Sequence, residues 1–272
     1  MKMASLISLL LLAAASCRLA ASDDLVNLMV PAYFKPSDNP SAWTALNSAA
    51  SALPNRMVAI ANVDNGPGTA PQPSYTAVIS SLQSASGRVV GYVSTVRANR
   101  SLDAVKADVD SWFTFYPTIN GIFVDEVTNR ADDGKQAYYL AIYNYVKSKS
   151  SSSLVVNNPG TSTDSTYLFY NGSRVADVIC IFENTGGNAS QWSQESWTAA
   201  YPRSNFYALA YNTANVNVSN SFDYGDVIDR AYQQNVGWVY VTDDNLPNPW
   251  DTLATYFSDE VTYIAQNNYL PS

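Results

Sequence analysis

Two kinds of segment alternate along the chain. Short runs of apolar, β-branched or aromatic residues recur at near-even spacing, at 25–33 (LVNLMVPAY), 56–63, 88–95, 121–126 (GIFVDE), 153–158, 177–183 (DVICIFE), 205–211 and 237–242. Each is close to continuously apolar, as expected of a strand buried on both faces. Between them, 41–52, 75–85, 101–115, 135–148, 191–200, 223–234 and 251–266 have helical character, and 162–170 is the weakest such segment. About eight strand–helix units predict an α/β fold, a (β/α)8 TIM barrel, with a doubly wound sheet as the alternative. No linker divides the chain, so residues 23–272 are read as one barrel domain, with KSKSSSS (147–153) a polar turn.

In such a barrel, chemistry gathers at the C-terminal strand ends. The polar residues found there are Tyr33 and Lys35, Asn62 and Asp64, Tyr92 and Thr95, Asp125 and Glu126, Asn157 and Asn158, Glu183, Tyr211 and Asn212, and Thr242 to Asp244. Acids at two different strand ends, Asp125 or Glu126 facing Glu183, can flank a scissile bond as acid and base or as acid and nucleophile. Adjacent strand residues point to opposite sides, so Asp125 and Glu126 both face inward only if the strand has ended and the chain turns. The plain alternative is that these acids cap helices or pair with surface cations. The loop NVDNGPG (62–68), with Asn62, is read as a ligand loop or a simple turn. NNPG (157–160), with Asn158, is read as a hydroxyl-binding pair or a turn before Pro159. Tyr33, Tyr92 and Tyr211 are singled out by position as aromatic faces for sugar rings.

Composition narrows the chemistry. The 272 residues contain no histidine, which excludes Ser-His-Asp triads, Cys-His pairs and imidazole-based zinc sites. The net charge of -8 with only 14% charged residues makes nucleic acid an unsuitable partner. Asp243-Asp244 and Asp125-Glu126 lack metal-loop spacing, so no metal or cofactor is expected. Cys180, within an apolar run, reads as a core residue. At the N-terminus Lys2, an apolar run from Leu6 to Ala15 too short to span a bilayer, and the small residues Ala20, Ala21 and Ser22 predict a cleaved secretory signal over 1–22. Cleavage removes Cys17 and leaves Cys180 alone; a lipid-modified Cys17 is the alternative. Sequons at Asn99, Asn171, Asn188 and Asn217 suit an extracellular glycoprotein without a membrane span.

The segments VPAYFKPS…W (30–43), NVDNGPG, GYVSTVRANR (91–100), GIFVDE, NNPG and ADVICIFE (176–183) resemble, in order and interval, the spherulin-4-like proteins grouped with glycoside hydrolase family 135. The resemblance spans most of the chain after residue 22. It implies a (β/α)8 fold and a secreted or cell-surface, endo-acting enzyme cleaving α-1,4-linked N-acetylgalactosamine in galactosaminogalactan. It assigns the acidic pair after the fourth strand to Asp125 and Glu126, and the acid after the sixth to Glu183. One departure is Arg97, where the family pattern has an aromatic residue. The expected partner is a polysaccharide or oligosaccharide, the expected state a monomer. The competing reading is a cell-surface or spore-wall protein that binds glycan without hydrolysing it.

Overall fold

The computed structural model describes residues 25–130, 134–215 and 222–267. The expected signal segment, Cys17 and the Asn217 sequon lie outside the described residues. In chain order the strands are β1 Asn27–Ala32, β2 Met57–Ala61, β3 Arg88–Ser94, β4 Gly121–Asp125 and β5 Leu154–Asn157. A small antiparallel hairpin of β6 Phe169–Tyr170 and β7 Ser173–Arg174 follows, then β8 Val178–Thr185, β9 Phe206–Tyr211 and β10 Trp238–Val241. The helices are α1 Pro40–Ala52, α2 Pro73–Ser84, α3 Leu102–Phe115, α4 Gln136–Lys149, the single turn α5 Gly186–Ala189, α6 Tyr224–Gln233 and α7 Phe257–Gln266.

The eight long strands are parallel and close in the order β1-β10-β9-β8-β5-β4-β3-β2. Because β1 pairs with both β2 and β10, the sheet has no free edge, and the doubly wound alternative is excluded. Their continuous apolar runs are explained by this closure: one face of each strand fills the barrel and the other carries helices. Across the interior the Tyr207 hydroxyl donates to the Met29 carbonyl at 2.6 Å.

Helix placement follows from sequence. Pro40 and Pro73 open α1 and α2 with a pre-set φ and no wasted N–H, and the Ser101 hydroxyl caps α3 by accepting from Ala104 N. Val105, Val109 and Trp112 share the buried stripe of α3. Trp112 lies directly on β3, where a Cβ on Gly91 would come within 2.3 Å of the indole, and its N–H donates to the Tyr92 carbonyl at 2.8 Å. That packing fixes the strand that delivers Tyr92.

Three expected helices differ. Residues 191–200 hold a 3-10 turn at Ser196–Ala200. Trp192 packs on Phe182 while Trp197 packs on Tyr201 and Phe206, and residues five apart cannot share a helix face. In 251–266 the helix begins only at Phe257, because the preceding chain crosses the barrel mouth and brings Trp250 against Tyr211 and Tyr240. Residues 162–170 form a 3-10 turn at Ser165–Tyr167 and then β6.

Candidate active site

Asp125 is the last residue of β4, and Asn158 follows β5, held in register by its N–H donating to the Val124 carbonyl at 2.8 Å. The Asn158 side-chain oxygen accepts from Gly160 N at 2.9 Å, which orients the amide so that Nδ2 faces the barrel mouth. That one nitrogen donates to Asp125 Oδ1 at 2.9 Å and to Glu183 Oε2 at 3.0 Å. The two oxygens are therefore separated by no more than the sum of those bonds. This close approach of the two bonded oxygens suits the roughly 5–5.5 Å of retaining carboxyl pairs better than the roughly 6.5–9.5 Å of inverting pairs.

Glu183 reaches this position through an irregularity. Cys180 pairs with Tyr207 but Phe182 pairs with Ala208, so Ile181 is an extra residue in β8. In a regular strand Cys180 and Glu183, three apart, would face opposite ways; the bulge brings both near the Tyr207 hydroxyl. Gly160 makes room beside it, since a Cβ there would sit 3.2 Å from Glu183 Oε2.

Glu126 solves the alternation problem differently. Its φ is 54°, so the chain leaves the strand geometry immediately after Asp125. Thr95 holds the turn, its hydroxyl donating to the carbonyls of Asp125 and Glu126 at 2.9 Å each, and Arg97 N–H donates to the Glu126 carbonyl at 2.9 Å. The Glu126 carboxylate then accepts from the Ser94 hydroxyl, beside the Asp125–Glu183 pair and outside it. Arg97 is exposed on this same loop.

Burial dominates the electrostatics. It pushes the Asp125 carboxyl above its ordinary pKa, against the opposing hydrogen bonds from Tyr92, the backbone at Glu126 and Asn158. Burial likewise raises Glu183, opposed by Asn158 and Trp250 and reinforced by the charge of Asp125. Burial next to these acids also keeps the hydroxyls of Tyr33 and Tyr92 protonated. Two neighbouring carboxyls with raised pKa values, sharing one amide, favour a state with one proton between them.

The remaining expected residues divide. Tyr33 and Tyr92 meet edge to face with centroids 5.5 Å apart, near Asp125 and Glu183. Tyr211 ends β9 and packs edge-on against Trp250. Asn62 holds its own loop: its side-chain oxygen accepts from Gly66 N at 3.0 Å and its carbonyl accepts from Tyr75. Cys180 is fully buried and donates to the Phe182 carbonyl. Two tryptophans were not anticipated. Trp250 lies close enough to Glu183 to favour its charged form, and Trp192 lines a cavity of about 330 Å³ that opens beside Glu183. Among the described residues no group of three or more Cys, Asp or Glu side chains is arranged to hold a metal ion, and no helix is long and apolar enough to cross a membrane.

A family model described as spherulation-specific family 4 matches residues 27–264. Spherulin-4 of Physarum polycephalum is 32% identical over 255 residues, covering 90% of this chain and 72% of that protein. The crystal structure of Aspergillus clavatus Sph3 in complex with GalNAc aligns with a TM-score of 0.74 and 25% identity, over 89% of this chain and 98% of that one. The β-mannanase of the blue mussel Mytilus edulis, at 7% identity and a TM-score of 0.53 over 88% of this chain and 91% of its own, shares the fold alone. With the family match running from the first barrel strand into the last helix, and with a relative at this identity, the chain belongs to spherulation-specific family 4.

Proposed function

We propose that this protein is a secreted glycoside hydrolase that cleaves within an N-acetylhexosamine-rich polysaccharide of the galactosaminogalactan type, acting on α-1,4-linked N-acetylgalactosamine. The observation that carries the reading is the pair of carboxyls, Asp125 and Glu183, held by the single amide nitrogen of Asn158. The sugar follows from the likeness to Sph3, whose structure holds GalNAc. The exposed sequon residues Asn99 and Asn171 support passage through a secretory route.

Glu183, which borders the open cavity, is assigned as the general acid, and Asp125, at the end of β4, as the nucleophile. Asp125 attacks the anomeric carbon as the bond to the leaving oxygen breaks, and Glu183 gives that oxygen its proton. Water then attacks the same carbon, losing its proton to Glu183 while the bond to Asp125 breaks, so configuration is retained. Glu126, bonded to Ser94, orients the turn and adds negative charge beside the developing oxocarbenium ion. Tyr33 and Tyr211 offer ring surface to the sugar; Tyr92, buried and stacked on Phe123, acts on Asp125, and Asn158 acts through the two carboxyls it bridges.

The test is incubation with purified galactosaminogalactan and, separately, with chitin oligomers, followed by reducing-end assay and mass spectrometry. New reducing ends from the first substrate support the reading. Binding without new ends supports a non-catalytic wall protein instead.

A further inference from the structure

We infer that the cavity beside Glu183 is the leaving-group subsite of the cleft, and that Trp192 is the platform on which an uncharged sugar ring stacks there. This rests on the glycosidase reading and deepens it, by assigning the side of the carboxyl pair on which the departing sugar lies and the residue that holds it.

Three features of the ring carry the assignment. Trp192 is half-buried, so part of the indole is open to the cavity. It packs, tilted, against Phe182, which is also part of the cavity wall, with centroids 4.7 Å apart. Its backbone is tied down: the carbonyl accepts from Arg230 Nε at 3.0 Å and the N–H donates to the Ala189 carbonyl at 3.1 Å. An aromatic plane fixed in this way loses little freedom when a sugar face lies on it.

The lining completes the picture. Apart from Glu183 itself, the polar side chains that face this cavity are neutral: Thr161, Ser162, Asn184, Asn188 and Gln191. Hydroxyls and amides match the hydroxyl and acetamido groups of a neutral sugar. A second cavity, bordered by Ser94, the partner of Glu126, is lined instead by Asp64 and the Arg100–Asp108 ion pair. A general acid must lie within hydrogen-bond reach of the oxygen it protonates, and the neutral cavity is the one that opens onto Glu183. The departing sugar therefore belongs there.

In a retaining enzyme the same subsite receives the second reactant. A sugar seated on Trp192 after the first step can replace water: its hydroxyl oxygen bonds to the anomeric carbon, the carbon–oxygen bond to Asp125 breaks, and the hydroxyl proton passes to Glu183. The ratio of transfer to hydrolysis thus reports on this subsite, and a purely structural tryptophan would not move it.

The experiment uses α-1,4-linked N-acetylgalactosamine hexamer as substrate, with excess trimer as acceptor, and mass spectrometry to count transfer and hydrolysis products. Trp192→Ala is expected to raise KM by about tenfold, the size of a lost stacking contact, and to lower the transfer ratio by a similar factor. Trp192→Phe should restore much of both. Because truncation also removes packing on Phe182, Asn188→Asp provides a second reading: a charge placed in the neutral cavity should lower the transfer ratio with the indole intact. An unchanged ratio in folded Trp192→Ala overturns the assignment, as does an unchanged ratio in Asn188→Asp where Trp192→Ala does not fold. Failure of the wild-type protein to bind or cleave the hexamer overturns the glycosidase reading and the subsite with it.

Discussion

Asp125 and Glu183, on strands that are not neighbours in the barrel, accept hydrogen bonds from the same nitrogen of Asn158, which sits at the end of the strand between them. The amide both spaces the two acids and stabilises their charged forms. Replacing it with alanine leaves two buried carboxyls without that donor and free to rearrange. Asn158→Ala should lower kcat/KM by about a hundredfold, comparable with the loss of other positioned polar groups, while the barrel remains folded. Near-normal turnover would mean that the pair is spaced by other contacts.

The pH profile follows from the directions of the two shifts. The nucleophile must be ionised, so activity falls as pH drops through its pKa; the acid must be protonated, so activity falls as pH rises through its own. Burial raises both groups, which places the active window above the ordinary carboxylate range. The Tyr92 hydroxyl opposes the shift at Asp125. Tyr92→Phe removes that opposition, raises Asp125 further and should move the acidic limb of kcat/KM to higher pH. An unmoved acidic limb would take Tyr92 out of contact with the nucleophile.

Gly91 is the point at which a helix closes on the barrel wall. A methyl group there would lie 2.3 Å from Trp112 Cδ2, and both Trp112 and Gly91 are buried. Gly91→Ala should destabilise the fold by about 1–3 kcal/mol through overpacking. Chemical denaturation should show a lower midpoint with an unchanged slope.

Glu260 on α7 is fully buried, accepts from Val241 N at 2.9 Å through Oε1, and is raised well above the usual carboxylate pKa by burial. Its Oε2 has no hydrogen-bond partner among the described residues. Because the folded pKa exceeds the unfolded one, its contribution to stability is complete below the unfolded pKa and is lost as pH rises through the folded value. Glu260→Gln keeps an acceptor for Val241 and cannot ionise. Its Tm should exceed that of the wild type at neutral pH by a few degrees, given roughly 2–4 °C per kcal/mol for a domain of this size, and the difference should vanish near pH 4. A lower Tm at neutral pH would contradict this account.

The strands were legible because a closed parallel barrel demands apolar residues on both faces, and that demand leaves continuous runs such as VICIF in the sequence. The same runs located Asp125 and Glu183, since each ends in an acid. How those acids point was not legible. Glu183 owes its direction to a one-residue bulge at Ile181, and Glu126 owes its separation from Asp125 to a left-handed φ; neither leaves a mark in hydrophobic pattern. Trp250 was hidden in TDDNLPNPW, a segment whose prolines and aspartates read as a turn, although a large aromatic closing a proline-spaced loop at a strand end is a usable signal. Trp192 was hidden by a false helix. Its five-residue offset from Trp197 breaks helical spacing and could have flagged two separate packing surfaces.

The most direct test of the central claim is proton NMR of the sugar first released from α-1,4-linked N-acetylgalactosamine hexamer, recorded before mutarotation. A carboxyl pair bridged by one amide nitrogen, with Asp125 as nucleophile, predicts that the new reducing end appears first as the α anomer and only later equilibrates with β. First appearance of the β anomer, or no release at all, would contradict the account.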